Sequence, residues 1–261
     1  MQKQKRFLLD EARAVEPVKN TLRLTWEFIV LNKKFTLITM TLFFILNILT
    51  PYLGILAIVP SGVFSLIIQI YFSRLLYNAQ DIEEFIEYTK ASKVEEAVSK
   101  NAFVAIGAYF AWIILFIALL FILGLIVKNS GVHLESVKTV EELMPVAQIL
   151  FLPIIILALF VSYIHPLVLS NIALAEDFKE GFLAPFTIFS PALWRASFKN
   201  GYPKYIIMIM GLTFLGALLL GIFMSLPIIN MVAGFIFIVV MYVYIIFNSV
   251  VAMMGRRIVE S

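Results

Sequence analysis

The chain has 261 residues, of which 62% are hydrophobic and 14% charged, and its mean hydropathy is +0.98. Soluble domains have about 45–50% apolar and about 25% charged residues, so this composition is that of a membrane protein. The net charge is +3, and the basic residues have acidic neighbours, which fits anionic lipid headgroups better than nucleic acid. The absence of cysteine excludes disulfides, thiolate metal sites and cysteine nucleophiles.

Six apolar runs are long enough to cross a membrane, since a helix needs about 20 apolar residues to span about 30 Å of hydrocarbon. The second run is the least uniform, because it contains Gln69 and Arg74. We expect Arg74 to extend from near the end of its helix to the headgroups. Pro51 offers an alternative, in which the first span ends near Thr50. The predicted spans of this all-α, polytopic protein are 35–58, 59–77, 103–127, 146–172, 205–225 and 227–254.

The basic residues are unevenly distributed about these spans. With the N-terminus inside, all of the 20 lysines and arginines except Lys128 and Lys138 fall on cytoplasmic segments. Cytoplasmic loops of membrane proteins carry an excess of such residues. We therefore expect a multi-pass protein of the inner (cytoplasmic) membrane with both termini in the cytoplasm.

One pattern occurs near the first span and again near the fifth. A tryptophan precedes an asparagine by six residues, Leu-Gly-Ile lies near the outer end of the span, and a proline is expected to begin the return helix. A weaker middle copy keeps the asparagine and Leu-Gly-Leu. The landmarks are Trp26, Asn32, Gly54 and Pro60 in the first copy, Asn101 and Gly124 in the middle copy, and Trp194, Asn200, Gly221 and Pro227 in the third.

The pattern predicts three parallel hairpin repeats, unlike the inverted repeats of many secondary transporters. The alternative is coincidence in a chain rich in leucine and isoleucine. In the repeat hypothesis, each asparagine lets the backbone turn into the membrane, since asparagine tolerates turn geometry. Each glycine allows neighbouring helices to approach closely, with Ala217 and Gly221 as a pair of small residues in the fifth span.

An amphipathic cytoplasmic helix is predicted before each hairpin. Ser92 and Glu95 have the spacing of a capping box, and Ser190 followed by Pro191 is typical of a helix start. We expect these helices to lie in the inner interface with Trp26 at headgroup depth, although a soluble partner could use the same faces. The stretch DIEEFIEYTK predicts one more surface helix.

These segments make up one membrane domain, 1–261. Its parts are a cytoplasmic N-terminal segment 1–34, hairpin 35–77, cytoplasmic segment 78–102, hairpin 103–172 with outer loop 128–145, cytoplasmic segment 173–204, hairpin 205–254 and cytoplasmic tail 255–261.

Polar chemistry is sparse within the predicted spans, which contain no Asp, Glu or Lys. His165 is the one deep titratable group, and Pro166 frees the carbonyl of Ser162 from its helical hydrogen bond. His165 could relay protons or contact a substrate at a kink, with Ser162 and Asn171 as polar neighbours. Alternatively it is a neutral imidazole bonded to a freed carbonyl or a neighbouring helix. With two histidines and no cysteine, we expect no metal, cofactor or catalytic site.

The organisation also resembles that of known proteins. The amphipathic helix, the Lys-Asn pair before a span and the proline-bounded return are most evident over Pro191–Arg256. They are similar to a broad group of bacterial six-span proteins that includes the membrane domain attached to some glycerophosphodiester phosphodiesterases. The resemblance implies the six-span architecture and names no active residue. These 261 residues leave no room for the phosphodiesterase domain, so its activity is not expected here.

Together these features predict a protein that is not an enzyme. We expect a membrane scaffold or an accessory or assembly component, whose partners are membrane lipids with anionic headgroups at the cytoplasmic face and another protein or a second copy of the chain. The alternative is a transporter, a permease subunit or a lipid-handling protein with a pathway near His165. An intramembrane enzyme is the least expected, because nucleophile, metal ligands and acid–base pairs are missing.

Overall fold

Helices account for almost all of the chain that the structure, a computed structural model, describes: residues 7–129, 140–225 and 233–261. These ranges contain no strand, so the all-α prediction is confirmed for them. The α-helices are α1 Leu8–Val15, α2 Pro17–Leu31, α3 Lys33–Leu53, α4 Ile55–Asn78, α5 Ile82–Ala91, α6 Val94–Asn129, α7 Val140–Leu174, α8 Phe178–Leu183, α9 Pro191–Ser197, α10 Tyr202–Met224 and α11 Ala233–Glu260, with a 3₁₀ helix, Ala184–Phe189, between α8 and α9.

Six of these helices, α3, α4, α6, α7, α10 and α11, are long and apolar enough to cross a membrane. The predicted six spans and the multi-pass membrane character are therefore confirmed for the described residues. The bounds differ because several helices continue beyond their apolar runs. Helix α6 begins at Val94, well before residue 103, and the predicted outer loop 128–145 is shortened at both ends by α6 and α7. The predicted start of the sixth span at Pro227 lies outside the described residues.

The first two spans meet at a single residue, Gly54. Its φ of 53° and ψ of −125° form a conformation that glycine adopts far more readily than other residues. Helix α4 consequently begins directly after it. Pro60 lies inside α4 rather than at its start, and Pro51 lies inside α3, so the predicted proline start and the alternative early end of the first span are both wrong.

The three landmark asparagines have different roles. The Asn32 side chain accepts a hydrogen bond from Phe35 N (3.1 Å) and caps α3. Asn200 has a positive φ of 53° in the turn before α10, as the turn hypothesis requires. The prediction of a turn at Asn101 is wrong, because α6 continues through it and its side-chain amide donates to Ala97 O (2.7 Å).

The predicted capping box at Ser92 is also wrong. The Ser92 hydroxyl donates to Tyr88 O (3.0 Å) and so closes the end of α5 instead of the start of α6. The predicted start at Ser190 is confirmed, because its hydroxyl accepts from Leu193 N and Pro191 is the first residue of α9. The stretch DIEEFIEYTK forms α5, where the Asp81 carboxylate caps the first turn.

The tryptophan and glycine landmarks do not occupy equivalent positions. Trp26 is 67% exposed, whereas Trp194 is half-buried and its indole donates to Ile188 O (2.8 Å). Gly124 and Gly221 lie inside helices, and a Cβ on either would meet no atom of another element within 4 Å in the described ranges, so the predicted close approach at these glycines is wrong for those ranges. The threefold repeat therefore stays a prediction.

The hydrophobic core lies toward the end of the bundle that carries both termini. The Arg257 guanidinium near the C-terminus sits 4.5 Å from the ring centroid of Phe7, which places both ends of the described chain together. We call this the termini-bearing end, or base. The short helices contribute Leu9, Phe28 and Phe85 to its core, each fully buried. The amphipathic helices predicted before the first and third hairpins are α2, which also turns Trp26 outward, and α9. The prediction of a separate helix before the second hairpin is wrong, because those residues form the first turns of α6.

Close helix packing at this base occurs between α6 and α8. A Cβ on Gly107 of α6 would collide with the backbone of Phe178 and lie 2.9 Å from Phe182 N. A Cβ on Gly181 of α8 would lie 2.5 Å from Val104 O. Since real side chains almost never approach backbone atoms so closely, the two glycines make this contact possible.

Candidate functional site

The predicted polar group Ser162, His165 and Asn171 does not form one site. Ser162 is exposed on the outside of α7, and His165 is partly buried. Asn171 follows Ser162 by nine residues, or about 13 Å along the helix. Asn171 therefore lies at a different depth from Ser162, whereas Ser162 and His165, three residues apart, are neighbours on the surface of α7.

His165 faces aromatic surroundings. Its ring centroid lies 5.8 Å from that of Trp112 on α6. Among the described residues it has no hydrogen-bond partner, so the interpretation as an imidazole bonded to a freed carbonyl is wrong. The described ranges also contain no group of three or more His, Asp or Glu that could hold a metal ion.

Asn171 belongs to a polar junction at the termini-bearing end. Arg256 Nη1 of α11 donates to Asn171 Oδ1 (2.7 Å), and Asn171 Nδ2 donates to Thr187 Oγ1 (3.1 Å) in the 3₁₀ helix. These bonds connect three separate elements. Asn171 is therefore a structural link between helices at the termini-bearing end.

Arg74 crosses from α4 to the C-terminal end of α7. Its Nε donates to Ala173 O (2.8 Å) and its Nη2 to Ala175 O. The last carbonyls of a helix have no partner within it and carry the negative end of the helix dipole, so they attract a guanidinium. The guanidinium of Arg74 is therefore held within the protein, and its contact with headgroups stays a prediction.

Two tyrosines that the sequence did not single out hold α7 to α9 and α10. Tyr163 Oη donates to Ser197 O (2.7 Å), and Tyr202 Oη donates to Tyr163 O (2.8 Å). The Tyr163 ring also stacks on Trp194, with centroids 6.0 Å apart. The sequence shows Tyr202 directly before a proline at a helix start, but it does not show that this tyrosine contacts Tyr163.

Buried hydroxyl pairs join a span to α2 and two spans to each other. Thr21 Oγ1 and Tyr205 Oη lie 3.0 Å apart between α2 and α10. Thr39 Oγ1 and Tyr242 Oη lie 2.6 Å apart between α3 and α11. Each pair satisfies two polar groups that would be costly to bury alone, so these contacts stabilise the base.

A groove of ≈ 610 Å³ opens at the termini-bearing end, between α1 and α2 on one side and the start of α10 on the other. We call it the terminal groove. Its volume is in the range of small-molecule sites, about 300–1,000 Å³. Its walls come from residues far apart in sequence, which is why the sequence did not predict it. The charged and exposed apolar residues that line it include Arg13, Glu16, Lys19, Leu22, Lys204 and Met208.

The polar contacts hold the helices together at the termini-bearing end, and the terminal groove offers charged and apolar surface to a ligand. Comparisons with protein-family models, curated proteins and solved structures give no match.

Proposed function

We propose that the protein is a non-enzymatic scaffold or assembly component of the cell inner membrane, with its termini-bearing end in the cytoplasm. The observation that carries the proposal is an uneven distribution of packing. The core and the polar contacts between helices concentrate at the termini-bearing end, whereas the far halves of several spans keep their apolar side chains exposed.

Helices α6 and α10 are the clearest cases of this distribution. The buried residues of α10 lie in its first turns and end at Ile209, while Phe214 is 72% exposed. In α6 most buried residues precede Trp112, and Phe121 is 67% exposed. Such surfaces can contact either lipid tails or apolar helices of another protein. Within a bilayer the hydrophobic effect favours neither contact, because lipid tails are as apolar as the side chains. The far halves thus offer room for partner helices around a rigid base.

The cytoplasmic placement of the base is supported by the distribution of its basic residues. Exposed lysines such as Lys90, Lys93 and Lys179 lie at this end, and positive residues favour the cytoplasmic side. The same charges favour contact with anionic headgroups. A shared six-span architecture with the membrane domain attached to some glycerophosphodiester phosphodiesterases is a separate proposal.

Photo-cross-linking in intact membranes tests the scaffold proposal. A photoreactive phenylalanine analogue at Phe121 or Phe214 is expected to capture a recurrent protein, or a second copy of the chain. The same analogue at Phe72, which is fully buried, serves as the matched control and should give no intermolecular product. Adducts with lipid alone at both exposed positions would contradict the proposal.

A transporter, permease subunit or lipid-handling protein is the second candidate, and the terminal groove is the observation that favours it. A pathway near His165 has less support. The His165 ring lies against that of Trp112, and the terminal groove is lined by other residues.

A further inference from the structure

We propose that the terminal groove binds the headgroup of an anionic phospholipid. The groove lies beside the exposed apolar surfaces of α2 and α10, at the end of the bundle where the chain leaves its spans. This inference goes beyond the scaffold function and does not depend on it. It rests on the charges of the groove, on the order of charged and apolar residues along its walls, and on its fixed frame.

The charges of the groove favour an anion. Its described lining contains three basic residues, Arg13, Lys19 and Lys204, and one carboxylate, that of Glu16. Lys19 pairs with Glu16 at 2.8 Å, an exposed pair of the kind that is weak and can exchange partners, and the partly buried Arg13 pairs with Asp10 at 3.3 Å. Lys204 has no ion pair in the part of the chain that the structure describes. A phosphate is therefore a suitable occupant for these cations.

Both long walls change from charged to apolar in the same way. On α2, Leu22 follows Lys19 by three residues, and on α10, Met208 follows Lys204 by four, so each pair shares a helix face. Leu22 is 44% exposed and Met208 is 51% exposed. An amphiphile matches this order, with its phosphate at the lysines and its chains along the apolar residues. A free phosphate would use only the charged part, so we commit to the lipid.

The frame of the groove is held in place without a ligand. The hydroxyls of Thr21 and Tyr205 lie 3.0 Å apart between its two walls, and Asn200 Nδ2 donates to Val259 O (3.1 Å) behind it. Helices α2 and α10 both begin at the groove, and within the described residues no side chain caps either N-terminus. The positive ends of the two helix dipoles add to the positive potential. Little ordering is thus needed before a headgroup binds.

The test measures lipid bound to the full-length protein in detergent, by native mass spectrometry during titration with phosphatidylglycerol or with phosphatidylcholine of the same chains. We expect the wild-type protein to retain phosphatidylglycerol in preference. The variant R13Q/K19Q/K204Q should bind it at least about tenfold more weakly, since each basic residue near an anionic headgroup contributes to affinity. The variant K90Q/K93Q/K179Q removes the same charge from exposed positions outside the groove and should bind normally.

Three outcomes would overturn the proposal. Equal binding by the two triple variants would show that the groove is not the site, and equal retention of the two lipids would show that charge is not recognised. Displacement of the lipid by millimolar inorganic phosphate would identify a site for free anions. Because the substituted side chains are exposed or partly exposed, we expect both variants to fold, and thermal unfolding of each checks this. Met208→Asn, with the cations intact, should weaken phosphatidylglycerol binding if the chains contact the apolar wall.

Discussion

Gly107→Ala is expected to destabilise the protein by about 1–3 kcal/mol, the usual cost of forcing extra atoms into a packed interface. The new Cβ would collide with the backbone of Phe178 and lie 2.9 Å from Phe182 N. Backbone atoms cannot rotate away as a side chain can, so α8 has to move off α6. The measurement is the free energy of unfolding of the purified protein in detergent.

Gly124→Ala on the same helix is the matched control. It replaces a helical glycine whose Cβ would meet no atom of another element within 4 Å among the described residues, so no loss of stability is expected. Gly181→Ala should cost about as much as Gly107→Ala, because its Cβ would lie 2.5 Å from Val104 O. The double variant should lose less than the sum of the single losses, since either change opens the same contact. Gly107→Ala and Gly124→Ala of equal stability would contradict the packing of α6 on α8.

Arg74→Met should destabilise the protein by about 3 kcal/mol, because two hydrogen bonds to a charged donor are lost and carbonyl groups are left without partners. The carbonyls of Ala173 and Ala175 at the end of α7 would lose their donor. Methionine keeps much of the length and apolar volume of the side chain, so the loss reports the guanidinium. Chemical denaturation in detergent provides the measurement.

Arg195→Met provides the control for Arg74→Met, since Arg195 is an exposed arginine on α9. Its loss is expected to leave stability nearly unchanged, as for most surface substitutions. Arg74→Lys should fall between the two, because an ammonium keeps the charge but cannot present the divergent donors of a guanidinium. If Arg74→Met proved no less stable than Arg195→Met, the connection between α4 and α7 would not be the one described.

The six spans could be predicted from the sequence because span length and apolarity are local properties of a run of residues. The helix start at Ser190 was predictable for the same reason, since its hydroxyl caps a backbone group three residues later. Predictions of the backbone conformation at single residues were less successful. Asn101 continues a helix because its side chain bonds to Ala97 O one turn earlier, a possibility that the residue type does not exclude.

The candidate sites depended on contacts between distant parts of the chain, which the apolar pattern does not report. Gly54 makes a turn while Gly124 and Gly221 remain helical, although all three follow a leucine. A run of apolar residues shows that a helix is buried in lipid or protein, but not which face meets which neighbour. The bond from Arg74 to Ala173 and the terminal groove therefore came only from the structure.

Cysteine accessibility is the most direct test of the central claim, that the protein acts at its termini-bearing, cytoplasmic face without an aqueous pathway through its spans. His165→Cys in this cysteine-free chain would be treated with a membrane-impermeant thiol reagent from either side of sealed vesicles. Lys90→Cys and Lys128→Cys are exposed controls at opposite ends of the bundle. We predict no labelling at His165, labelling of Lys90→Cys from the cytoplasmic side and labelling of Lys128→Cys from the outer side. Labelling at His165 would contradict the claim and favour transport, and the reversed pattern at the controls would contradict the orientation.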